Sequence, residues 1–166
     1  MDITINELKH LNGKWNGEGL AEFPTIKSFD YHEHLSFSSN KKNPVLHFEQ
    51  KAWIKSKDDR NDEPISWESG FLIDRGDSFF EMVCTHNSGR LEILRGFAIW
   101  TSDQKIKIEL ESVSTINDDR MIRSKRIIMF SETIIAYEQL MSTTKNFSMQ
   151  RHLSARLIQQ QTTENL

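Results

Sequence analysis

Hydrophobic and polar residues alternate along most of the chain, and this period of two is typical of β-strands. Short polar stretches such as "SSNKKNP" and "NSG" interrupt the alternation and mark turns. Many short strands at regular spacing predict an antiparallel up-and-down sheet. The predicted strands are Gly13–Phe23, Ile26–Phe37, Val45–Lys55, Ile65–Asp74, Phe79–His86, Arg90–Trp100, Lys105–Ser114, Met121–Phe130, Thr133–Met141 and Phe147–Gln159.

We expect this sheet to close into an all-β barrel, because closure removes the exposed edges. A barrel of about ten strands is wider than the eight-stranded kind that side chains can fill, so a ligand cavity is expected inside. On the inward parity of the first strand, Trp15 is followed by Gly17 and Gly19. We interpret the two glycines as open room on one wall of that cavity.

A short helix is predicted before the first strand, at Ile5–Leu11. Thr4 stands at the N-cap position and Glu7 follows three residues later, which is the spacing of a capping box. We expect this helix to cover the end of the barrel that holds Trp15.

Composition and charge narrow the setting. A length of 166 residues predicts a single domain over residues 1–166, and the net charge of −3 argues against a nucleic-acid partner. Cys84 is the single cysteine, so no internal disulfide can form. The start "MDITINELKHL" does not have the pattern of a signal peptide, and no apolar run predicts a membrane span. These features predict a cytoplasmic protein.

Strand parity separates most of the histidines into two groups. His32, His34 and His47 lie opposite the apolar parity of their strands and are predicted to point outward. His86 instead shares its parity with the apolar residues of its strand, which are Phe80, Met82 and Cys84. His86 is therefore either a hydrogen-bonded core histidine or a residue that lines the cavity mouth.

His152 has polar neighbours on its own parity, since Gln150, Ser154 and Arg156 share it. If this segment is a strand, the pattern alone predicts that His152 lies at the surface. Other chemistry is not indicated: no set of residues has zinc-ligand spacing, no phosphate-binding glycine motif occurs, and Cys84 is predicted to be buried and inert.

Six sequence blocks, in order, identify a family resemblance. They are "GKWNGEG", "EFPTIKSFDYHEHLSF", "ESGFL", "NSGRLEILRG", "MSTTKN" and "HLSARL". Together these blocks resemble the nitrobindins, haem-binding relatives of the fatty-acid-binding-protein and lipocalin barrels, over about residues 8–158. The resemblance implies a ten-stranded antiparallel barrel that holds ferric haem b near its mouth.

The resemblance also implies roles for individual residues. His152 becomes the axial ligand of the haem iron, which reverses the surface prediction made from the pattern alone. Thr25 matches a position near the haem, and His86 matches a residue that lines the pocket. The family is described as binding NO reversibly and isomerising peroxynitrite to nitrate. The side chains expected to bury the porphyrin are Trp15, Phe29, Tyr31, Phe48 and Met82.

Two departures from the family pattern leave alternatives open. Ser66 stands where some relatives have a histidine, and the segment before His152 is one residue longer, with Arg151 where a proline can occur. The first alternative is an intracellular carrier of a fatty acid or another apolar ligand, with His86 and His152 as polar groups. The second is a barrel that no longer binds a ligand. A homodimer is left open as the assembly.

Overall fold

The protein is a closed barrel of ten antiparallel strands in the computed structural model, which describes residues 2–40 and 42–161. Each strand pairs with the next along the chain, and the first pairs with the last to close the barrel. The strands are β1 Gly13–Ala21, β2 Phe29–Ser38, β3 Val45–Lys55, β4 Pro64–Asp74, β5 Phe79–His86, β6 Leu91–Trp100, β7 Ile106–Ile116, β8 Met121–Phe130, β9 Ile134–Thr143 and β10 Asn146–Gln159. The predicted up-and-down barrel is confirmed, and β3, β5 and β8 have the predicted bounds.

The segment before β1 differs from the prediction. In place of a helix over Ile5–Leu11 there is a turn followed by a 3₁₀-helix of three residues, Lys9–Leu11. The capping contact does form, because Glu7 Oε2 accepts a hydrogen bond from Thr4 N at 2.8 Å. The segment instead closes hydrogen bonds between residues three apart, such as Leu8 N to Ile5 O at 3.1 Å, and the backbone N–H of Ile5 donates to Asp74 Oδ2 at 2.8 Å, which ties the segment to the end of β4.

This N-terminal segment covers one end of the barrel, as predicted. Leu8 and Leu11 are fully buried beside Trp15, which is also fully buried. The indole Nε1 of Trp15 donates to the carbonyl oxygen of Leu11 at 2.8 Å, so the polar atom of this large side chain is satisfied inside the core. The opposite end, where the loops after β1, β3, β5, β7 and β9 meet, is therefore the mouth.

Parity correctly predicts which histidines lie outside the barrel. His34 is exposed, while His32 and His47 are half-buried on the outer surface. His32 stacks on Trp53 with ring centroids 5.4 Å apart, and His47 contacts Phe71 edge-on. The inward group is confirmed as well, because Phe80, Met82 and Cys84 are buried and the His86 side chain is 8% exposed.

The two glycines of β1 do not leave open room. A Cβ atom at Gly19 would collide with the ring of Tyr31 and with the carbonyl oxygen of Ser154, and one at Gly17 would collide with the backbone of β10 at Arg156. The prediction of empty space was wrong, because parity shows that a wall lacks side chains but not what fills the gap. Here a tyrosine from the paired strand and the close approach of β10 fill it.

Among the described residues, no helix is long and apolar enough to cross a lipid bilayer.

Candidate functional site

His152 lies inside the barrel because β10 contains a β-bulge. Arg151 pairs with Leu140 of β9 and Leu153 pairs with Gln139, so His152 is the extra residue between two consecutive pairs. A bulge of this kind turns a side chain away from the face that simple alternation assigns to it. His152 is accordingly 6% exposed, whereas Arg156, on the same parity, is exposed. The surface prediction from parity is wrong for this reason.

The imidazole of His152 is suited to act as a neutral ligand. Burial lowers its pKa, and no hydrogen bond or charge from the described residues offsets that effect. The ring of Phe23 contacts the imidazole edge-on, with centroids 5.5 Å apart. A neutral ring holds a lone pair on one nitrogen, which is the form that binds metal ions.

Two cavities open at the mouth of the barrel and share one wall. The first, of about 500 Å³, is lined by His152 and Thr25. The second, of about 420 Å³, is lined by His86 and Ser66. Both volumes lie in the range of small-molecule sites. The residues common to both linings are Phe23, Arg90, Asp118, Arg120 and Met141.

The side chains around these cavities fit the haem group that the sequence resemblance implies. His152 offers an imidazole that is neutral and makes no hydrogen bond with a described residue, and a flat apolar ligand would meet apolar side chains on several strands and loops. Those that line the two cavities are Phe23, Ile26, Phe29, Ile65, Met141 and Leu153. One nitrogen donor beside apolar side chains, at a mouth that also has charged residues, is an arrangement that fits a single-histidine haem site.

Two of the five side chains expected to bury the porphyrin lie at the mouth. Phe29 and Tyr31 line the second cavity. Phe48 and Met82 instead line a separate small cavity of about 40 Å³ deeper in the barrel, and Trp15 packs in the closed end. Parity places all five side chains inward, but it does not give their height along the barrel axis.

His86 lines the second cavity, and carboxylates hold its ring on both sides. Nδ1 lies 3.1 Å from Glu68 Oε2, and Nε2 lies 2.9 Å from Glu92 Oε2. Both possibilities weighed from the sequence therefore apply, since the side chain is hydrogen-bonded and also borders the mouth. With both nitrogens engaged, His86 is not placed to bind iron.

A buried arginine interacts with the two carboxylates beside His86. Arg126 donates through both terminal nitrogens to Glu68, at 3.0 Å for the Nη2–Oε2 pair. Its Nη2 also lies 3.5 Å from Glu92 Oε2 and 3.5 Å from Cys84 Sγ. Cys84 is buried as predicted, and burial raises the pKa of its thiol. The ligand atoms of Glu68, Cys84 and His86 lie within 4.8 Å of one another. The positive charge of Arg126, however, already pairs with the Glu68 carboxylate that a metal ion would need as a ligand.

A second polar network lies beside this cluster and centres on Glu33, which is fully buried. The Tyr137 hydroxyl donates to Glu33 Oε2 and accepts from Gln50 Nε2 at 2.8 Å. Tyr137 also lies 3.0 Å from the Tyr31 hydroxyl. Burial raises the pKa of Glu33 to about 7. Since Tyr31, Gln50 and Tyr137 all line the second cavity, one hydroxyl links this carboxyl to the cavity wall.

These interior charges were not predicted, although the alternation of residues along the strands indicates them. Glu68 shares the parity of Leu72, and Arg126 shares the parity of Ile128 and Phe130. A charged residue on the apolar parity of a strand predicts a buried ionic group, which needs a partner inside the fold.

The chain matches known proteins over nearly its whole length. A family described as "THAP4-like, heme-binding beta-barrel domain" matches residues 4–159. The "Peroxynitrite isomerase Rv2717c" of Arabidopsis thaliana is 33% identical over 151 residues, which cover 91% of this chain and 86% of that protein. A "Ferric nitrobindin-like protein" of Corynebacterium jeikeium is 32% identical over 64% of this chain and 48% of its own length. The crystal structure of Rv2717c from M. tuberculosis superposes with a TM-score of 0.82 at 27% identity, covering 95% of this chain and 97% of that one.

Proposed function

The chain belongs to the family of THAP4-like, heme-binding β-barrel domains, the nitrobindin relatives that its sequence blocks indicate, and on this premise we propose that it binds ferric haem b and isomerises peroxynitrite to nitrate. The observation that carries the proposal is the buried imidazole of His152, which is neutral and lines a cavity of about 500 Å³. The names of the relatives supply the substrate, peroxynitrite.

His152 is the residue that would bind the iron, through one ring nitrogen. The β-bulge aims the ring inward, and the edge-on contact with Phe23 restricts its rotation. Thr25 lines the same cavity from the loop after β1, so its hydroxyl is the nearby polar group that the family pattern assigns to the haem surroundings. When bound, haem would supply a ferric Lewis acid with one coordination position left for NO or peroxynitrite.

The other residues of the mouth would shape the pocket rather than bind the iron. Phe29 and Ile65 would cover apolar ring surface and exclude water from it. His86 is proposed to line the pocket as a polar group, because its two nitrogens are held by Glu68 and Glu92. Ser66 is short and lines the same cavity, which leaves room for a small ligand where a larger side chain would project.

The interior disfavours a carrier that would hold a fatty-acid carboxylate deep in the barrel. A barrel that carries a fatty acid needs a cation, or several hydrogen-bond donors, to hold the buried carboxylate. The buried guanidinium of Arg126 is already paired with Glu68 and approaches Glu92. A third carboxylate placed beside these two would meet net repulsion.

The direct test is a titration of the protein with ferric haem, followed by the Soret band. We expect one haem per chain, and His152→Ala should remove the ligand-specific shift or weaken binding at least about tenfold, which corresponds to about 1.4 kcal/mol. His47→Ala is the matched control, because His47 lies on the outer surface. A His152→Ala variant that titrates like the wild type would assign the iron to another ligand.

Activity is measured on the same preparations as the decay of peroxynitrite to nitrate and the protection of free tyrosine from nitration. The rate should scale with haem occupancy, fall when cyanide is added, and be absent in the haem-free protein. Equal behaviour with and without haem, together with tight binding of a fluorescent fatty acid, would favour the carrier.

We propose a homodimer as the assembly. Apolar side chains project from the outer face of β6, where Phe97 is 60% exposed and Ile99 is 54% exposed, and Phe97 contacts Phe79 of β5. Exposed apolar patches of this kind mark association surfaces. Light scattering that gives the mass of one chain, 19.4 kDa, would refute the dimer.

A further inference from the structure

Two arginines and one aspartate meet at the mouth, on the wall that both cavities share. Arg90 follows the turn after β5, and Asp118 and Arg120 lie in the turn after β7. Asn117 Nδ2 donates to the carbonyl oxygen of Gly89 at 3.1 Å, so the two turns are joined directly. This bridge links the two turns that carry the arginines at the opening.

Asp118 is the anion that these arginines share. Its Oδ1 accepts from Arg120 Nε at 3.0 Å and its Oδ2 accepts from Arg120 Nη2 at 3.3 Å. Arg90 Nη1 lies 3.4 Å from the same Oδ2. The hydrogen bonds from Arg120 keep the pKa of Asp118 below its usual range, so the carboxylate is charged at neutral pH. One carboxylate therefore lies between two guanidinium groups.

The contacts of Arg90 are loose for a charged group. Strong charge-assisted hydrogen bonds between nitrogen and oxygen measure about 2.7–2.9 Å. Arg90 instead lies 3.4 Å from both Asp118 and Glu92, its Nη2 lies 3.3 Å from His86 Nε2, and its buried Nε makes no hydrogen bond with a described residue. Its guanidinium therefore has donors left for a second carboxylate.

The chemistry of the interior determines which end of a haem faces these arginines. Haem b has two propionate carboxylates on one edge of an otherwise apolar ring. Deeper in the barrel that edge would meet Glu33, Glu68 and Glu92, which are all buried. Carboxylates brought beside buried carboxylates are strongly disfavoured. The acidic edge must therefore remain at the mouth, where Arg90 and Arg120 lie.

We propose that Arg90, Asp118 and Arg120 form an anion site for the porphyrin carboxylates, in which Asp118 occupies the position of a propionate until the ligand binds. This inference rests on the proposed haem function and adds the groups that anchor the acidic edge of the ligand. Because Asp118 competes with the ligand for both arginines, it weakens binding, and its removal strengthens binding.

The test compares ferric protoporphyrin IX with its dimethyl ester, which has the same ring and iron but no carboxylates. Both are titrated in the same micellar buffer against wild type, Arg120→Gln and Asp118→Asn. Arg123→Gln is the control, since Arg123 is an exposed arginine on β8 that pairs with Glu111 on the outer surface. Thermal unfolding of each haem-free variant verifies that the barrel is intact.

We expect Arg120→Gln to weaken binding of the diacid about threefold to fivefold, in line with the small energies of exposed ion pairs, and to leave the ester unchanged. Asp118→Asn should tighten binding of the diacid by a similar factor. Equal binding of diacid and ester by the wild type, or equal losses for both ligands in Arg120→Gln, would overturn the anion site while the dependence on His152 stands. Failure of both ligands to bind the wild type would refute the haem function itself.

A second arm separates the porphyrin carboxylates from small oxyanions. Sodium nitrate and sodium chloride are compared as competitors at equal ionic strength. We expect the two salts to weaken the binding of the diacid equally. Competition specific to nitrate, lost in Arg120→Gln, would reassign the arginines to a small oxyanion and overturn the proposal.

Discussion

The ring of Phe23 lies edge-on against the imidazole of His152, with centroids 5.5 Å apart and planes at 76°. Phe23 comes two residues after the end of β1, and His152 lies on the bulge of β10. The backbone N–H of Glu22 donates to the carbonyl oxygen of His152 at 2.7 Å and continues the pairing of the two strands to this point. The local backbone thus brings an aromatic side chain onto the candidate iron ligand.

We expect Phe23→Ala to raise the pKa of His152. Burial alone depresses that pKa, and loss of the phenyl ring admits water to the imidazole, which favours its protonated form. The measurement is an NMR titration of the histidine ring protons in the haem-free protein. Phe71→Ala is the control, because Phe71 contacts His47 on the outer surface and should leave the His152 titration unchanged. An unchanged His152 curve in Phe23→Ala would mean that other groups exclude the water.

Alternation predicted the strands well because most strands here have one buried and one outer face. It failed at His152, since a bulge adds one residue to one strand of a pair and the amino-acid pattern does not mark where that happens. The sequence blocks that resemble the nitrobindins, "HLSARL" above all, indicated His152 as the axial ligand of the haem iron. Spacing alone assigned His152 to the wrong face.

The contents of the barrel were less predictable than its walls. Gly19 correctly marked a wall without side chains, but the ring of Tyr31 fills the space. Glu68 and Arg126 are 58 residues apart in the chain. Their pairing depends on the curvature that brings β4 and β8 to face each other across the barrel. Period two reports the direction of a side chain and leaves its partner undetermined.

Glu33→Gln should change how stability depends on pH. The pKa of Glu33 rises from 4.5 to about 7 on burial, so between these values the unfolded chain has lost a proton that the folded protein keeps. Stability conferred by the neutral form is therefore lost as pH rises through this window, by about 3 kcal/mol at about 1.4 kcal/mol per pKa unit.

Urea unfolding at several pH values gives the free energy of both proteins. Relative to wild type, Glu33→Gln should gain stability from about pH 4.5 to about pH 7, with a constant difference above that range. Taking the difference cancels Glu68 and Glu92, whose depressed pKa values act in the opposite direction in both proteins. A difference that is flat with pH would show that Glu33 ionises normally inside the barrel.

Arg126→Met should destabilise the barrel strongly. The substitution keeps a long side chain but leaves Glu68 and Glu92 buried without the guanidinium that contacts both, and breaking a buried pair in this way costs about 3–5 kcal/mol. Adding Glu68→Gln should recover part of the loss, because one of the two stranded charges is gone. Chemical denaturation of the two single variants and the double variant forms a cycle, and strict additivity would contradict direct coupling of the pair.

Gly19→Ala should destabilise the protein by about 3 kcal/mol, in the range of overpacked core substitutions. The new methyl group would collide with the ring of Tyr31 and with the carbonyl oxygen of Ser154, and neither can retreat easily. The Tyr31 hydroxyl is held by Ser154 O at 3.1 Å and by Tyr137 at 3.0 Å, so displacement of the ring would also disturb the network around Glu33. Gly76→Ala is the control: nothing lies within 4 Å of a Cβ there, and its positive φ of 90° makes a cost of about 1 kcal/mol the expectation. Equal losses of unfolding free energy in Gly19→Ala and Gly76→Ala would mean that β1 moves outward to accommodate the methyl group. If adding Tyr31→Ala to Gly19→Ala restores part of the lost stability, the ring of Tyr31 is the obstacle.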